Sequence, residues 1–212
     1  MPMLVAGTGR DLQDVASRQA LRQGGQVDLL HLVAPEREVK LSLVAGEGHY
    51  QAVIQPVLEA RCSVWVATAN LKDLMVRHGA RRYRSILESL EQMAARGLEL
   101  RVLHATLPSR SFRETFDRLE RLVAGGLELR LCPRVHMKVV IVDGEMLYMG
   151  SANWTGAGLG VKRSGRRNFE LGLVSTDPLL LDQVQGMYER IWRGGECAGC
   201  GRRESCEAPL DL

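Results

Sequence analysis

The sequence predicts an α/β protein: a mixed β-sheet flanked by helices on both faces. Three observations carry that expectation. Short apolar runs rich in Val, Leu and Ile recur along the chain, and between them lie segments with the apolar spacing of amphipathic helices. An Asp143-Gly144 pair sits between two apolar runs, 139–142 and 146–149, so one connection is an antiparallel hairpin rather than a crossover. With 212 residues, 45% of them hydrophobic, the chain is long enough to bury a core between such layers.

In chain order, residues 11–23 read as a helix, and 27–33 and 39–44 as apolar strands. A helix is expected over about 49–60, a strand over 62–69, a helix over 83–96, a strand over 98–104 and a helix over 111–124. Gly97 and Gly125-Gly126 fall where helices stop, because glycine enters the left-handed conformation of a helix end without strain. Residues 127–131 form a strand, the hairpin follows, 168–174 is a further strand, and 179–192 is a closing helix. Residues 1–37 form an N-terminal extension, read as an extra strand and helix or as a dimerisation arm. Residues 38–193 make one domain, and 194–212 a cysteine-rich tail.

No stretch approaches the roughly 18 apolar residues of a membrane span, and residues 1–7 lack the basic and apolar regions of a signal peptide. The expectation is a soluble, cytoplasmic protein. The formal net charge of +3 decides little, but its distribution is uneven. Lys162, Arg163, Arg166 and Arg167 cluster between Asn153 and Asn168, and Arg77, Arg81, Arg82 and Arg84 form a second group. Both read either as solvated basic loops or as contacts for a polyanion.

The chemistry concentrates in His136-Met137-Lys138-Val139-Val140-Ile141-Val142-Asp143. Polar groups are costly in such an apolar run unless something uses them. Residues i and i+2 of a strand share a face, so His136 and Lys138 project together while Met137, Val139 and Ile141 point the other way. With a two-residue turn at Asp143-Gly144, Val142 faces Glu145, Val140 faces Leu147, Lys138 faces Met149 and His136 faces Ser151. Asn153 then emerges on the same side, and Glu170, sharing a face with Asn168, can orient the imidazole. A three-residue loop would reverse this parity. Asp143 reads equally as a turn former, and Trp154 as a stacking platform or as core. The remaining histidines, His31, His49, His78 and His104, have no comparable polar partners at strand spacing.

His136-x-Lys138-x4-Asp143, then Gly150-Ser151-x-Asn153 and Asn168-x-Glu170, resembles the HKD signature of the phospholipase D superfamily. It is most similar to the single-motif branch of the bacterial endonuclease Nuc and the Zucchini and mitochondrial-type phosphodiesterases, over about residues 38–193. The long basic loop over 154–167 and the cysteines after the last helix depart from that pattern. The resemblance implies a phospholipase D-like α/β/α sandwich with catalytic residues His136, Lys138, Asp143, Ser151, Asn153 and Glu170. His136 would attack phosphorus, Lys138 and Asn153 would hold the non-bridging oxygens, Ser151 would support the phosphate or the imidazole, and Glu170 would hydrogen-bond the histidine. Asn168, Trp154, Lys162, Arg163, Arg166 and Arg167 would contact substrate. The scheme needs no cofactor for catalysis. It uses two histidines, and one motif per chain implies a homodimer sharing one site.

Cys62 reads as a core residue and Cys132 ends a strand. Cys197, Cys200 and Cys206 leave three readings open: a structural zinc or iron–sulfur site short of a fourth ligand, a Cys200–Cys206 disulfide, or free thiols. Three functions compete: a nucleic-acid phosphodiesterase preferring single strands, a hydrolase or phosphatidyltransferase acting on phospholipid, and a non-catalytic nucleic-acid-binding dimer.

Overall fold

The structure is a computed structural model that describes residues 33–79 and 82–210. The expected helix over 11–23, nearly all of the strand over 27–33, and Arg81 lie outside the described residues. The chain divides into two units, Met1–Val39 and Lys40–Leu212. Of the first, residues 33–39 carry no regular secondary structure.

Among the described residues seven strands form one mixed sheet, in the order β1-β9-β8-β7-β2-β5-β6. These are β1 (Ser42–Ala45), β2 (Ser63–Thr68), β5 (Glu99–His104), β6 (Glu128–Leu131), β7 (Val139–Val142), β8 (Met146–Gly150) and β9 (Leu171–Ser175). β2, β5 and β6 run parallel, and β7, β8, β9 and β1 continue antiparallel from β2. Among the described residues two further strands, β3 (Met75–His78) and β4 (Arg82–Ser85), pair only with each other.

Apolar layers on both faces explain the strand sequences. β7, Val-Val-Ile-Val, is buried at every position because it lies near the middle of the sheet and is covered on both sides. On one face Val64, Val66, Leu100, Val102, Val140, Val142 and Tyr148 pack against three helical segments. These are a π-turn at Tyr50–Ile54 running into α1 (Gln55–Leu58), then α2 (Ile86–Ala95) and α3 (Arg110–Phe116). On the other face Ala67, Leu103, Val139, Ile141 and Leu147 pack against Leu181, Tyr188 and Trp192 of α4 (Pro178–Trp192). Each full burial of a side chain of this size is worth about 1.5–3 kcal/mol. Side-chain caps start the helices: Ser85 accepts from Leu87 N–H at 3.1 Å, Ser109 from Phe112 N–H at 3.3 Å and Asp177 from Leu180 N–H at 2.8 Å.

One close approach fixes the sheet beside the site. Gly150 of β8 pairs with Gly172 of β9, and the Tyr148 ring lies against both. A Cβ on Gly150 would fall 2.5 Å from the Tyr148 hydroxyl and one on Gly172 would strike the ring, so only glycine fits either position. Burial pushes the Tyr148 phenol up to about 12, so it is a neutral packing group at physiological pH.

The largest difference from the sequence expectation lies between β2 and α2. Residues 83–85 belong to β4, not to the helix, which begins after the Ser85 cap. The helix expected over 111–124 is also broken: α3 ends at Phe116, and a separate π-turn, Leu122–Gly126, closes with Gly125 at φ 100°.

His104 ends β5, buried, with its Nδ1 2.9 Å from the Thr106 carbonyl. Burial lowers its pKa and the carbonyl contact only partly opposes this. A depressed histidine contributes full stability above the unfolded value of about 6.5 and loses it as pH falls below that, because the unfolded chain then binds the proton more readily. Denaturant titrations should therefore show unfolding free energy falling between pH 7 and 5, with a shallower slope in His104→Asn. An unchanged slope would exclude His104 as a source of acid lability.

Candidate active site

The candidate site forms at the carboxyl ends of parallel strands β2 and β5, where open α/β sheets place their ligands. β7 runs antiparallel to β2, with Ala67 opposite Val139, so the residues entering β7 arrive at this end. His136 and Lys138 lie in that entering segment, just before the first paired residue, and Gly150 N–H donates to the Lys138 carbonyl at 3.1 Å.

Lys138 is buried and His136 exposed. The Lys138 ammonium lies 3.2 Å from Nε2 and 3.3 Å from Nδ1 of His136, and it donates to the His136 carbonyl at 2.6 Å. Burial pushes the Lys138 amine down, and the field of Glu170 pulls it partly back. Asn153 is held by its oxygen, which accepts from Ala69 N–H at 3.1 Å and Asn70 N–H at 3.2 Å, with the Thr68 hydroxyl 3.3 Å away. That leaves the two N–H donors of its amide for an anion. Glu170 accepts from the Ser151 hydroxyl and, at 3.0 Å, from Asn168 Nδ2.

The hairpin that carries these groups is not the one expected. Val142 pairs with Met146 and Val140 with Tyr148, so the connection is three residues long and every cross-strand pair shifts by one. Asp143 and Gly144 do form the left-handed turn, at φ 55° and 66°, closed by Glu145 N–H on the Val142 carbonyl at 3.0 Å. Glu145 is the extra residue. The cluster survives because residues 151–153 bend out of the sheet, where hydrogen bonds to Glu170, Leu171, Ala69 and Asn70 set their direction rather than the pleat.

A family model described as "Cardiolipin synthase, PLD-like domain" matches residues 53–192, which includes all of these groups. The chain belongs to the phospholipase D-like family. NucT from Helicobacter pylori shares its fold at 19% identity and a TM-score of 0.53, over 73% of this chain and 96% of the other. Nuc from Salmonella typhimurium, a phospholipase D family member, does so at 18% identity and a TM-score of 0.51, over 73% and 95%. A phosphatidylserine synthase from Haemophilus influenzae matches at 18% identity and a TM-score of 0.52, over 88% of this chain and 47% of its own. A search of curated proteins finds no match.

Within this phospholipase D-like domain three expected site residues play other parts. Asp143 lies at the far end of the hairpin from His136, where its carboxylate accepts from the N–H groups of Arg61, Cys62 and Ser63 at 2.7–3.1 Å. Burial would raise its pKa, but those donors and the Arg61 charge outweigh it and hold the carboxyl below its usual range. Trp154 is buried in the main core, so its ring is closed to a base. Arg167 is tied to Glu47 at 3.1 Å and to the Lys162 carbonyl at 2.5 Å, which anchors the loop. Glu170 makes no hydrogen bond to His136 among the described residues; its place is beside Ser151 and Asn168.

Lys162, Arg163 and Arg166 do reach the site's surroundings. With Lys72, Asn153 and Asn168 they line a cavity of about 930 Å3. Sequence reasoning missed Lys72, and also Thr68, whose buried hydroxyl accepts from Trp154 N–H at 2.9 Å and ties the Asn153 loop to β2. A polar Thr68-Ala69-Asn70 end on an apolar strand was the available signal. The tail cysteines do not assemble: Cys197, Cys200 and Cys206 are free thiols, and among the described residues no three His, Cys, Asp or Glu side chains are placed to hold a metal. The tail is instead fastened by Arg202 on the Pro133 carbonyl at 3.1 Å and closed on itself by Arg203 on the carbonyl of Leu210 at 3.1 Å. Among the described residues no helix is long and apolar enough to cross a membrane.

Replacing Asp143 removes an acceptor shared by three N–H groups. Asp143→Ala should cost about 2–4 kcal/mol in chemical unfolding, and Asp143→Asn clearly less, since asparagine keeps an oxygen and tolerates the left-handed turn. If Asp143→Ala matched the parent in stability but lost activity, the turn assignment would be wrong.

Proposed function

We propose that this protein is a phosphodiesterase that cleaves nucleic-acid strands, single strands preferred, through a phosphohistidine on His136 in a site shared by two subunits. The observation that supports this most is the pairing of an exposed imidazole with a buried ammonium 3.2 Å away, together with a cavity that Asn153 and Asn168 line alongside Lys72, Lys162, Arg163 and Arg166. A ring nitrogen of His136 attacks phosphorus while the bond to the leaving oxygen breaks, and the second imidazole donates a proton to that oxygen. The same imidazole then takes a proton from water, whose oxygen attacks phosphorus as the P–N bond breaks and His136 is restored. Lys138 and the Asn153 amide face the charge that develops on the non-bridging oxygens, which is the largest stabilising effect such a site can offer. The four cations around the cavity suit a chain of phosphates better than a single one.

Three features favour a second copy of the chain as the source of the second imidazole. There is one HKD motif, and His136 is open to solvent. Leu43 and Leu173 pair across β1 and β9 and are exposed, as are Leu171 and Phe169 next to Glu170, an apolar surface that a partner would cover. The same exposed Phe169 supports the alternative of a phospholipid substrate, because an aromatic side chain beside the site could enter a lipid surface.

In EDTA, the protein should cleave labelled single-stranded DNA or RNA faster than duplex and release no choline from phosphatidylcholine vesicles. His136→Ala should lower the rate by at least about a thousandfold, the scale set by losing a catalytic nucleophile. Sedimentation should give a dimer. Cleavage that persists in His136→Ala, or an active monomer, would refute the mechanism, and choline release alone would establish the lipid reading.

A further inference from the structure

The β3–β4 ribbon, absent from the sequence expectation, gives the cavity a wall that the chemistry above does not use. Its register sets Arg77 opposite Tyr83 and Met75 opposite Ser85, so Met75, Arg77 and Tyr83 share one face. Met75 and Tyr83 line the 930 Å3 cavity that holds Asn153 and Asn168; Arg77 and Tyr83 line a second cavity of about 390 Å3. Tyr83, Val161, Lys162 and Arg163 belong to both linings, so the two spaces adjoin along them. Tyr83, exposed to 57%, thus lines both spaces together with two cations.

Both walls are held in place. Behind the ribbon Val76 is fully buried, Arg77 N–H donates to the Tyr50 hydroxyl at 3.1 Å, and Ser85 caps α2 while donating to Asp73 at 2.6 Å. The second Asp73 oxygen accepts from Thr115, so the one acid lining the larger cavity is engaged with its own scaffold; the smaller is lined by Glu59 and by Glu47, which pairs with Arg167. On the facing loop Leu159 is buried and Gly160 sits at φ 71°, where a Cβ would meet the Gly46 carbonyl at 3.0 Å. Arg167 bridges the loop to Glu47.

We propose that Tyr83 is a base-stacking platform in a channel for single-stranded nucleic acid, which runs from the Asn153 and Asn168 end past Lys162 and Arg163 to the Arg77 end. This rests on the nucleic-acid reading of the site. An aromatic face stacks on any base, and cations at its side hold the phosphates that flank the stacked nucleotide. A duplex keeps its base faces inside the helix, so the platform selects single strands; a lipid headgroup has no base to offer. Tyr83 is therefore a positioning residue for the nucleotides beyond the scissile bond.

The test uses His136→Ala as the parent, so that binding is read without turnover, with fluorescence anisotropy of two probes: oligothymidylate and an abasic phosphodiester of equal length. Adding Tyr83→Ala should weaken oligothymidylate about tenfold and leave the abasic probe within about twofold, and Tyr83→Trp should restore the first. Lys162→Ala should weaken both probes and flatten the salt dependence by roughly one ion. Equal loss on both probes, or no loss on oligothymidylate, would overturn the platform. If the unsubstituted protein cleaves single strands while Tyr83→Ala binds normally, only the platform fails. If it neither binds nor cleaves nucleic acid, both readings fail.

Discussion

A buried ammonium organises this molecule. Lys138 lies among β-branched side chains at the mouth of β7, where an isolated charge would be strongly disfavoured. It is tolerated because the ammonium donates to the His136 carbonyl and lies 3.2 Å from the His136 ring, while the negative field of Glu170 partly offsets the cost of burial. That solution keeps the imidazole beside a cation and open to solvent. It also requires Glu170 nearby, which β9 supplies through the paired glycines 150 and 172 folded around Tyr148.

The rest of the site follows from how the surrounding backbone ends its strands. β2 stops at Thr68, and the N–H groups left at Ala69 and Asn70 find their acceptor in Asn153, which turns the amide nitrogen of that side chain toward the cavity. The basic segment after Asn153 is a packed loop with a buried leucine and a left-handed glycine at its base, so Lys162, Arg163 and Arg166 are presented on a scaffold rather than on a flexible chain. Positive charge fixed before the substrate arrives needs no reorganisation when phosphoryl charge develops.

Much of this was legible in the sequence. Apolar runs located all seven main-sheet strands to within three residues at either end; His136 and Lys138 do lie together, but in the segment just before β7 rather than on the strand itself. The hairpin register was not legible, because the turn length depends on a contact 80 residues away: Asp143 is drawn to the N–H groups at Arg61–Ser63, and Glu145 is squeezed out of the ladder. The β3–β4 ribbon was hidden for a different reason. Its second strand runs without a break into α2, so Tyr83 to Ser85 read as the first turn of the helix. Roles that depend on distant partners, such as the Glu47 anchor of Arg167 and the burial of Trp154, carry no local signal at all.

The central claim is that phosphorus becomes bonded to His136. Rapid quenching of a single-turnover reaction into alkali, where a phosphoramidate survives, followed by peptide mass spectrometry, tests it most directly. A nucleotidyl or phosphoryl adduct is expected on the peptide containing His136, forming and decaying at the rate of turnover. Turnover with no adduct on that peptide, or an adduct on another residue, would contradict it.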